Sequence, residues 1–281
     1  MKRYIYGECV KGATHERTGV SLQDSKKIVE VSENITIISV ADGHGSQKCP
    51  LSEYGSKMAV NVFCDVMQRY IESYGSSKKE LAGLVSYLNR EGDTRFAQEI
   101  CEEWQTRVRR SFEKRKDKKA NYGHLMDGEE IKDIEGVYSL YGTTLLGMLI
   151  TDTFVFSFQI GDGDINMVTA DEIAPLVEPE KFLGTETHSL SKIDAWKKSV
   201  SSVKMKNVRS DLPYLYMLST DGFANSYKND DEFKKTCRDY FDMIGQHGFE
   251  AIRENLGGWL KETSQLGCGD DITLVLAYFC R

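Results

Sequence analysis

Four acidic sites in this chain lie at the ends of strongly apolar, strand-like runs. Asp42 follows the run at 35–41, Asp162 follows 154–161, Asp221 follows 214–220, and the pair at 270–271 precedes 272–279. If these strands share one sheet system, the carboxylates meet in a single cleft. A hard divalent cation with oxygen ligands relieves the repulsion between crowded carboxylates. The residues alone therefore favour metal-assisted chemistry on a phosphate.

Ordinary turn chemistry is the competing explanation for these acids. The aspartates at 42, 162 and 221 each stand directly before a glycine. An isolated Asp-Gly pair is usually only a turn, because aspartate caps the turn and glycine adopts a positive φ. Turn chemistry explains each pair separately, but it does not explain why acids recur at strand ends.

The periodicity of apolar residues predicts the elements that position these acids. Strands are expected at 3–10, 27–31, 34–41, 143–150, 153–160, 164–169, 213–219 and 272–280, and helices at 51–74, 78–89, 94–116, 230–244 and 248–264. Strand runs flank helical pairs instead of alternating with them one for one. This order favours an α+β fold, with packed sheets and outer helices, over a doubly wound parallel sheet. Residues 170–210 are mixed and polar and are expected to form a flap over a site.

Composition and charge narrow the functional classes. The chain has 281 residues and a formal net charge of −7, which argues against general nucleic-acid binding. Its seven cysteines are scattered and never spaced as Cys-x-x-Cys, so reduced thiols are favoured over disulfides or a zinc site. We find no signal peptide and no run of about 20 apolar residues that would span a membrane. We therefore expect a cytoplasmic protein with no membrane or nucleic-acid partner.

Five motifs, in order along the chain, resemble those of the metal-dependent serine/threonine phosphatases of the 2C type, the PPM family, in its bacterial-like branch. They are Ala41-Asp42-Gly43-His44-Gly45, Tyr141-Gly142-Thr143-Thr144, Ile160-Gly161-Asp162-Gly163, Leu218-Ser219-Thr220-Asp221-Gly222 and Gly269-Asp270-Asp271-Ile272-Thr273. Upstream, the segment from His15 to Asp24 is similar to the one that opens the family's domain. Together the motifs cover residues 7 to 280, nearly the whole chain.

The resemblance implies a central antiparallel β-sandwich flanked by helices on both sides, in four α-β-β-α layers. It also implies two divalent cations, Mn²⁺ or Mg²⁺, at one end of the sandwich, with a third, weaker ion. The implied metal ligands are Asp24, Asp42, Gly43 through its carbonyl, Asp162, Asp221 and Asp270. Asp42 would bridge both ions, Asp221 and Asp270 would hold one of them, and Asp162 would share the third with Asp221.

The residues that would act on the substrate are less closely matched to the family. His44 is the candidate general acid for the leaving oxygen, because imidazole titrates near neutral pH; the alternative is a surface histidine in a glycine-rich turn. Gly19 stands where a phosphate-gripping arginine is expected, so Arg17 or His15 is the candidate substitute. A plain solvated role for Arg17 is equally compatible with the sequence. Ser46 and Asp164 also depart from the usual motifs.

We therefore expect a single phosphatase domain over 1–281 that hydrolyses phosphoserine and phosphothreonine in proteins, opposite a serine/threonine kinase. Alternatives are a pseudophosphatase that binds a partner without turnover, and another metal hydrolase such as a nuclease or small-molecule phosphatase. A charged helical elaboration is expected at 75–135, and 181–190 resembles a flap segment of the bacterial branch. The basic run at 107–119 reads as a solvated helix end, or else as a phosphopeptide-binding rim.

Overall fold

Ten strands form two antiparallel five-stranded sheets in the computed structural model, which describes residues 1–115, 134–178, 187–206 and 212–281. The strands are β1 Lys2–Val10, β2 Ser25–Ser32, β3 Ile35–Ala41, β4 Leu145–Thr151, β5 Phe154–Ile160, β6 Asp164–Val168, β7 Ile173–Pro175, β8 Val200–Met205, β9 Tyr214–Ser219 and β10 Ile272–Cys280. One sheet has the order β1-β10-β9-β6-β7, and the other has the order β2-β3-β4-β5-β8.

Helices cover the outer face of each sheet. They are α1 Ala13–Thr18, α2 Ser52–Tyr74, α3 Lys78–Glu91, α4 Arg95–Lys114, α5 Ile134–Ser139, α6 Asp221–Ala224, α7 Asp230–His247 and α8 Glu250–Leu266, with a 3₁₀ turn at Ala195–Lys198. Helices α2 to α4 pack on the sheet that contains β3, and α7 and α8 pack on the sheet that contains β10. The predicted α+β sandwich in four layers is confirmed.

Three apolar cores hold the layers together. The core between the two sheets includes Ile38, Leu146 and Val275, and one further core lies between each sheet and its helical layer. All seven residues of β3 are buried, as are all seven of β4 and of β5. Both faces of these strands are covered, which explains why they read as continuous apolar runs and not as an alternating pattern.

The prediction missed the short and polar elements. Helix α1 has no buried residue, and β8 is an edge strand whose residues are all at least partly exposed. Neither has the apolar periodicity on which the prediction rested. Within the expected flap at 170–210, the structure describes β7, the 3₁₀ turn and β8, while 179–186 and 207–211 lie outside the described residues. Part of the elaboration at 75–135 is α3 and α4; residues 116–133 also lie outside.

The described part of the basic run, 107–115, lies in and just after α4, where Arg109, Arg110 and Lys114 are exposed. Arg107 in α4 donates to the carboxylates of Asp65 and Glu103, at 2.9 Å in each case. These contacts tie α4 to α2 and satisfy the guanidinium within the protein. Among the described residues, no helix has the length and apolar character needed to cross a bilayer.

Lys206 is an unusual buried cation at the end of β8. Its Nζ is buried without a hydrogen-bond partner and lies 4.5 Å from the ring centre of Phe279, 5.3 Å from that of Tyr214 and 5.6 Å from that of Tyr216. Burial lowers the pKa of Lys206 to about 7, and the Asp152 carboxylate partly opposes this change. The ring faces attract the ammonium group, and this attraction offsets part of the free-energy cost of removing the group from water.

Lys206→Met is expected to raise the free energy of unfolding by about 1–2 kcal/mol at neutral pH, because the variant buries no charge. The folded pKa lies below the unfolded one, so the unfolded chain binds more protons from about pH 7 to 10. Wild-type stability should therefore rise with pH across this interval, and the gain from Lys206→Met should shrink. Urea unfolding at about pH 7 and 9.5 measures this, with the exposed Lys204→Met as control. A variant less stable than wild type at neutral pH would show that the ring contacts outweigh desolvation.

Candidate active site

A cleft of about 780 Å³ collects acidic residues from the ends of β3, β5 and β9 and from the start of β10. The aspartates that line it are Asp42, Asp162, Asp164, Asp221, Asp230 and Asp270. Lys228 is the one lysine among the described residues that line it. Four of these acids were singled out from the sequence as metal ligands, and the fold brings them to one end of the sandwich.

The Gly-Thr-Thr segment fixes the backbone of Asp42. The Asp42 amide donates to Thr144 Oγ1 (2.9 Å), and the Asp42 carbonyl accepts from both Thr144 N and Thr143 Oγ1 (2.8 Å each). The next residue is equally confined, because a Cβ on Gly43 would lie 2.8 Å from the Gln23 carbonyl oxygen and 2.9 Å from that of Ser52. These contacts fix the backbone conformation of the residues that follow β3. In this conformation the Asp42 carboxylate lines the cleft.

Asp221 begins helix α6, directly after β9. Asn225 Nδ2 donates to one of its carboxylate oxygens at 2.9 Å, which leaves the rest of the group facing the cleft. Thr220, which precedes it, donates its hydroxyl to Asp24 Oδ2 at 2.7 Å and accepts from the Thr273 amide at 2.9 Å. This hydroxyl therefore links β9, β10 and the segment before β2, and holds Asp24 behind the cleft.

The neighbouring acids Asp270 and Asp271 have different surroundings. Asp270 lines the cleft. Asp271 is buried and accepts from the amides of Gly12 (2.6 Å) and Gln23 (2.7 Å), and its Oδ1 lies 2.9 Å from His15 Nδ1. It therefore ties α1 and the opening segment to β10 and orients the His15 ring, which lines the cleft. This orienting role of Asp271 was not predicted from the sequence. The feature that could have indicated it is the second acid of the pair at 270–271.

Crowding and burial disfavour the charged forms of these carboxyl groups. Desolvation raises the pKa of Asp24 to about 8, with further contributions from Asp271 and Asp270. Desolvation also raises the pKa of Asp42 well above its usual range, and the charges of Asp24 and Asp221 add to the effect. The pKa of Asp221 is raised by the same cause, with Asp162 and Asp270 adding to it. The cleft therefore concentrates acidic groups, and among the described residues Lys228 is the one lysine that lines it.

The donor set fits hard divalent cations. Asp24 Oδ1 is buried with no hydrogen-bond partner, although a buried carboxylate oxygen normally has one. The predicted ligands in the cleft are carboxylates and a backbone carbonyl, and their oxygens suit Mg²⁺ and Mn²⁺. In the described ranges, no three His, Cys, Asp or Glu side chains are arranged so that they could hold a metal ion together. In addition to desolvation, the charge of Asp221 raises the pKa of Asp42, as expected for two carboxyl groups that meet without a counter-charge.

The remaining predicted residues divide into two groups. His44 and Gly43 line the cleft, and desolvation lowers the pKa of His44 while the Asp162 carboxylate opposes this change. Arg17 is exposed, donates to Thr14 Oγ1 at 3.2 Å and is not among the cleft-lining residues. The cleft also contains Lys228, which lies outside the motifs, and His188, which lies in the 181–190 segment that resembles a flap of the bacterial branch.

Solved structures with the same fold include several bacterial phosphatases. The serine/threonine phosphatase of S. agalactiae matches with a TM-score of 0.58 at 16% identity, over 99% of each chain. The enzyme Stp1 of Staphylococcus aureus matches with a TM-score of 0.59 at 13% identity, over 99% of this chain and 96% of that one. The Mycobacterium tuberculosis phosphatase PstP/Ppp gives 0.56 at 11% identity, over 99% of each chain.

Sequence comparison gives the family. Comparison with curated protein sequences gives no match. The family model described as protein phosphatase 2C matches residues 11–261, which is most of the chain and includes four of the five motifs. The chain therefore belongs to the protein phosphatase 2C family of protein-serine/threonine phosphatases.

Proposed function

We propose that the protein removes phosphate from phosphoserine and phosphothreonine in proteins by metal-dependent hydrolysis, opposite a serine/threonine kinase. The observation that supports this most directly is the meeting of Asp42, Asp221 and Asp270 in one cleft, with raised pKa values at the first two. Uncompensated carboxylates at the end of a sandwich are costly unless they bind cations.

Each of the predicted metal ligands would have its own role in binding the ions. Asp42, the Gly43 carbonyl, Asp221 and Asp270 would hold two divalent ions, Mn²⁺ or Mg²⁺. Asp24, whose Oδ1 has no partner, would act directly or through ordered water. Asp162, exposed on the β5–β6 turn, would hold a weaker third ion with Asp221. When bound, such ions lower the pKa of a water molecule and neutralise the charge on phosphoryl oxygens.

Protein groups around the acids would orient the substrate and move protons. His44 would donate a proton to the leaving serine or threonine oxygen, since its lowered pKa makes the imidazolium a readier donor. The His15 ring, which Asp271 orients, lines the cleft and would contact the phosphate there. Arg17 is the less favoured candidate for that contact, because it is outside the cleft lining.

The chemistry of the cysteines supports hydrolysis over a phosphocysteine route. Burial raises the pKa of Cys49, the cysteine that packs against Gly142 beside His44, so its thiol stays protonated near neutral pH. All seven cysteines are free, which supports a cytoplasmic location. The retained acids argue against a binding module without turnover, and the net charge of −7 argues against a nuclease.

Hydrolysis of p-nitrophenyl phosphate and of phosphothreonine peptides with Mn²⁺ or Mg²⁺ tests this proposal. Activity should appear with either ion, stop on addition of a chelator and return when the ion is restored. Single-stranded and duplex DNA should remain intact under the same conditions. A folded protein that hydrolyses none of these substrates with any divalent ion would favour the binding module. Cleavage of DNA but not of phosphopeptides would favour the nuclease.

A further inference from the structure

A second groove, of about 820 Å³, opens directly from the active-site cleft. His44, Ser46, Thr187 and His188 line both spaces, so cleft and groove form one continuous depression. A peptide whose phosphorylated residue lies in the cleft has to place its neighbouring residues somewhere along the surface. The groove offers such a path, beginning at the candidate general acid.

The cleft and the groove have opposite charge. Among the described residues, six aspartates and one lysine line the cleft. The described lining of the groove contains three lysines, Lys48, Lys192 and Lys198, and one carboxylate, that of Asp194. Asp194 already lies 3.4 Å from the ammonium of Lys197, which is outside the groove. In a chain of net charge −7, this concentration of lysines runs against the overall sign.

The lysines are accessible to a substrate. All three are exposed on the surface. Lys192 lies 3.4 Å from Glu135, but both side chains are substantially exposed, at 64% and 38%, and such surface pairs contribute little. At Lys192, an incoming anion therefore has to displace only a weak surface ion pair.

The wall of the groove is fixed to the catalytic frame. The Leu190 amide donates to the Thr143 carbonyl at 3.0 Å, and the Thr143 amide donates to Ser189 Oγ at 3.2 Å. Thr143 is the residue whose hydroxyl also holds the Asp42 carbonyl. The groove is therefore held at a constant position relative to Asp42, as a specificity site requires.

We propose that this groove, called here the lysine groove and defined by Lys48, Lys192 and Lys198, selects phosphopeptides that carry a second anionic group a few residues from the phosphate to be removed. The inference rests on the proposed function. The aspartates of the cleft repel a second anion that lies close to the reacting phosphate, whereas the lysines attract one placed farther along the peptide. An ammonium is a compact charge that accepts either a carboxylate or a phosphate, so acidic residues and a second phosphoresidue are both suitable.

Three phosphothreonine peptides test this, with neutral flanks, with two glutamates on either side, or with a second phosphoserine. Wild-type kcat/KM should be about tenfold higher for the two anionic peptides than for the neutral one, and the difference should shrink in high salt. The triple variant Lys48→Gln, Lys192→Gln, Lys198→Gln should lose that preference and keep wild-type activity on p-nitrophenyl phosphate. A matched variant at exposed lysines elsewhere, Lys79→Gln, Lys234→Gln, Lys261→Gln, removes the same charge and should keep the preference.

Each outcome decides the point. No preference in the wild type, or an equal loss in both triple variants, would overturn the proposal. A preference confined to one anionic peptide would identify that anion as the ligand of the lysine groove. Failure of the proposed function is distinguishable, because it would abolish turnover of all substrates. Binding of the fluorescently labelled diphosphorylated peptide without metal then reports on the groove alone: weaker binding by the first triple variant supports it, and equal binding by all proteins refutes it.

Discussion

Replacing Asp42 with asparagine is expected to lower kcat by about a thousandfold or more and, at the same time, to stabilise the metal-free protein. The loss is expected because Asp42 is a proposed metal ligand, and a neutral amide does not replace the charge of a carboxylate that holds cations. The gain follows because desolvation and the charges of Asp24 and Asp221 raise the pKa of Asp42, so its ionised form costs stability. Removing that charge should add about 1–2 kcal/mol to the free energy of unfolding.

The sign of the pH dependence makes this expectation specific. A carboxyl group whose folded pKa is raised contributes stability below its unfolded pKa of about 3.9, and this contribution is lost as pH rises through the folded value. The gain from Asp42→Asn should therefore be larger at about pH 8 than at about pH 5. Mn²⁺ at about 100 times its dissociation constant should stabilise the wild type by roughly 2.7 kcal/mol and the variant by much less.

Asp230→Asn is the matched control for Asp42→Asn. Asp230 also lines the cleft, but it is exposed at the start of α7 and is not a proposed metal ligand. Its replacement should change kcat less than about threefold and leave stability within about 0.5 kcal/mol. Thermal and urea unfolding with and without Mn²⁺, alongside phosphatase assays, measure all of these effects. Loss of activity together with loss of stability in Asp42→Asn would indicate a structural role instead of an ion-binding one.

The long, buried elements of this fold were predictable because the apolar patterns that indicate them lie within short stretches of the sequence. The fully buried strands β3, β4 and β5 read as apolar runs, and the amphipathic helix α2 shows a clear 3.6-residue period. The polar edge strand β8 and the short helix α1 were missed, since their stability comes from hydrogen bonds to partners far away in sequence. β8 pairs with β5, and the Thr14 amide in α1 donates to Gly269, 255 residues later.

The candidate site shows the same division. The acids at strand ends were visible because each follows or precedes an apolar run. The roles of Asp271 and Thr143 were not visible, because they depend on contacts across the sandwich: Asp271 with His15, and Thr143 with Asp42. The lysine groove likewise joins residues from the loop after β3 and from the segment before β8. The sequence shows which residues carry charge and which of them lie at strand ends. Which charges lie close together depends on tertiary contacts.

Gly55→Ala is expected to destabilise the protein by about 3 kcal/mol or more, an effect larger than that of most single substitutions. Gly55 lies in the first turns of α2, where an added Cβ would be 1.8 Å from the carbonyl oxygen of Tyr141. The close approach is reinforced on the other side, because the buried Trp104 indole donates to the Gly55 carbonyl at 3.0 Å. Neither backbone segment can move without disturbing that bond or the strand that follows.

Activity should fall with stability in this variant, for a reason that can be traced through the backbone. Displacing Tyr141 moves Gly142, which accepts from the His44 amide at 3.1 Å, and Thr143, which holds the Asp42 carbonyl. A shift of about 1 Å at such a site can cost roughly a hundredfold in rate. Assays well below the unfolding temperature separate this loss from global unfolding.

Gly258→Ala supplies the matched control, since it makes the same substitution within helix α8. No atom lies within 4 Å of a Cβ built at Gly258, so alanine should raise stability by about 0.5–1 kcal/mol through its higher helix propensity and leave activity unchanged. Urea unfolding should therefore shift in opposite directions for the two variants, and phosphopeptide assays should show a loss of activity for Gly55→Ala alone. A Gly55→Ala protein as stable and active as wild type would show that α2 does not approach the segment before β4 as closely as the structure places it.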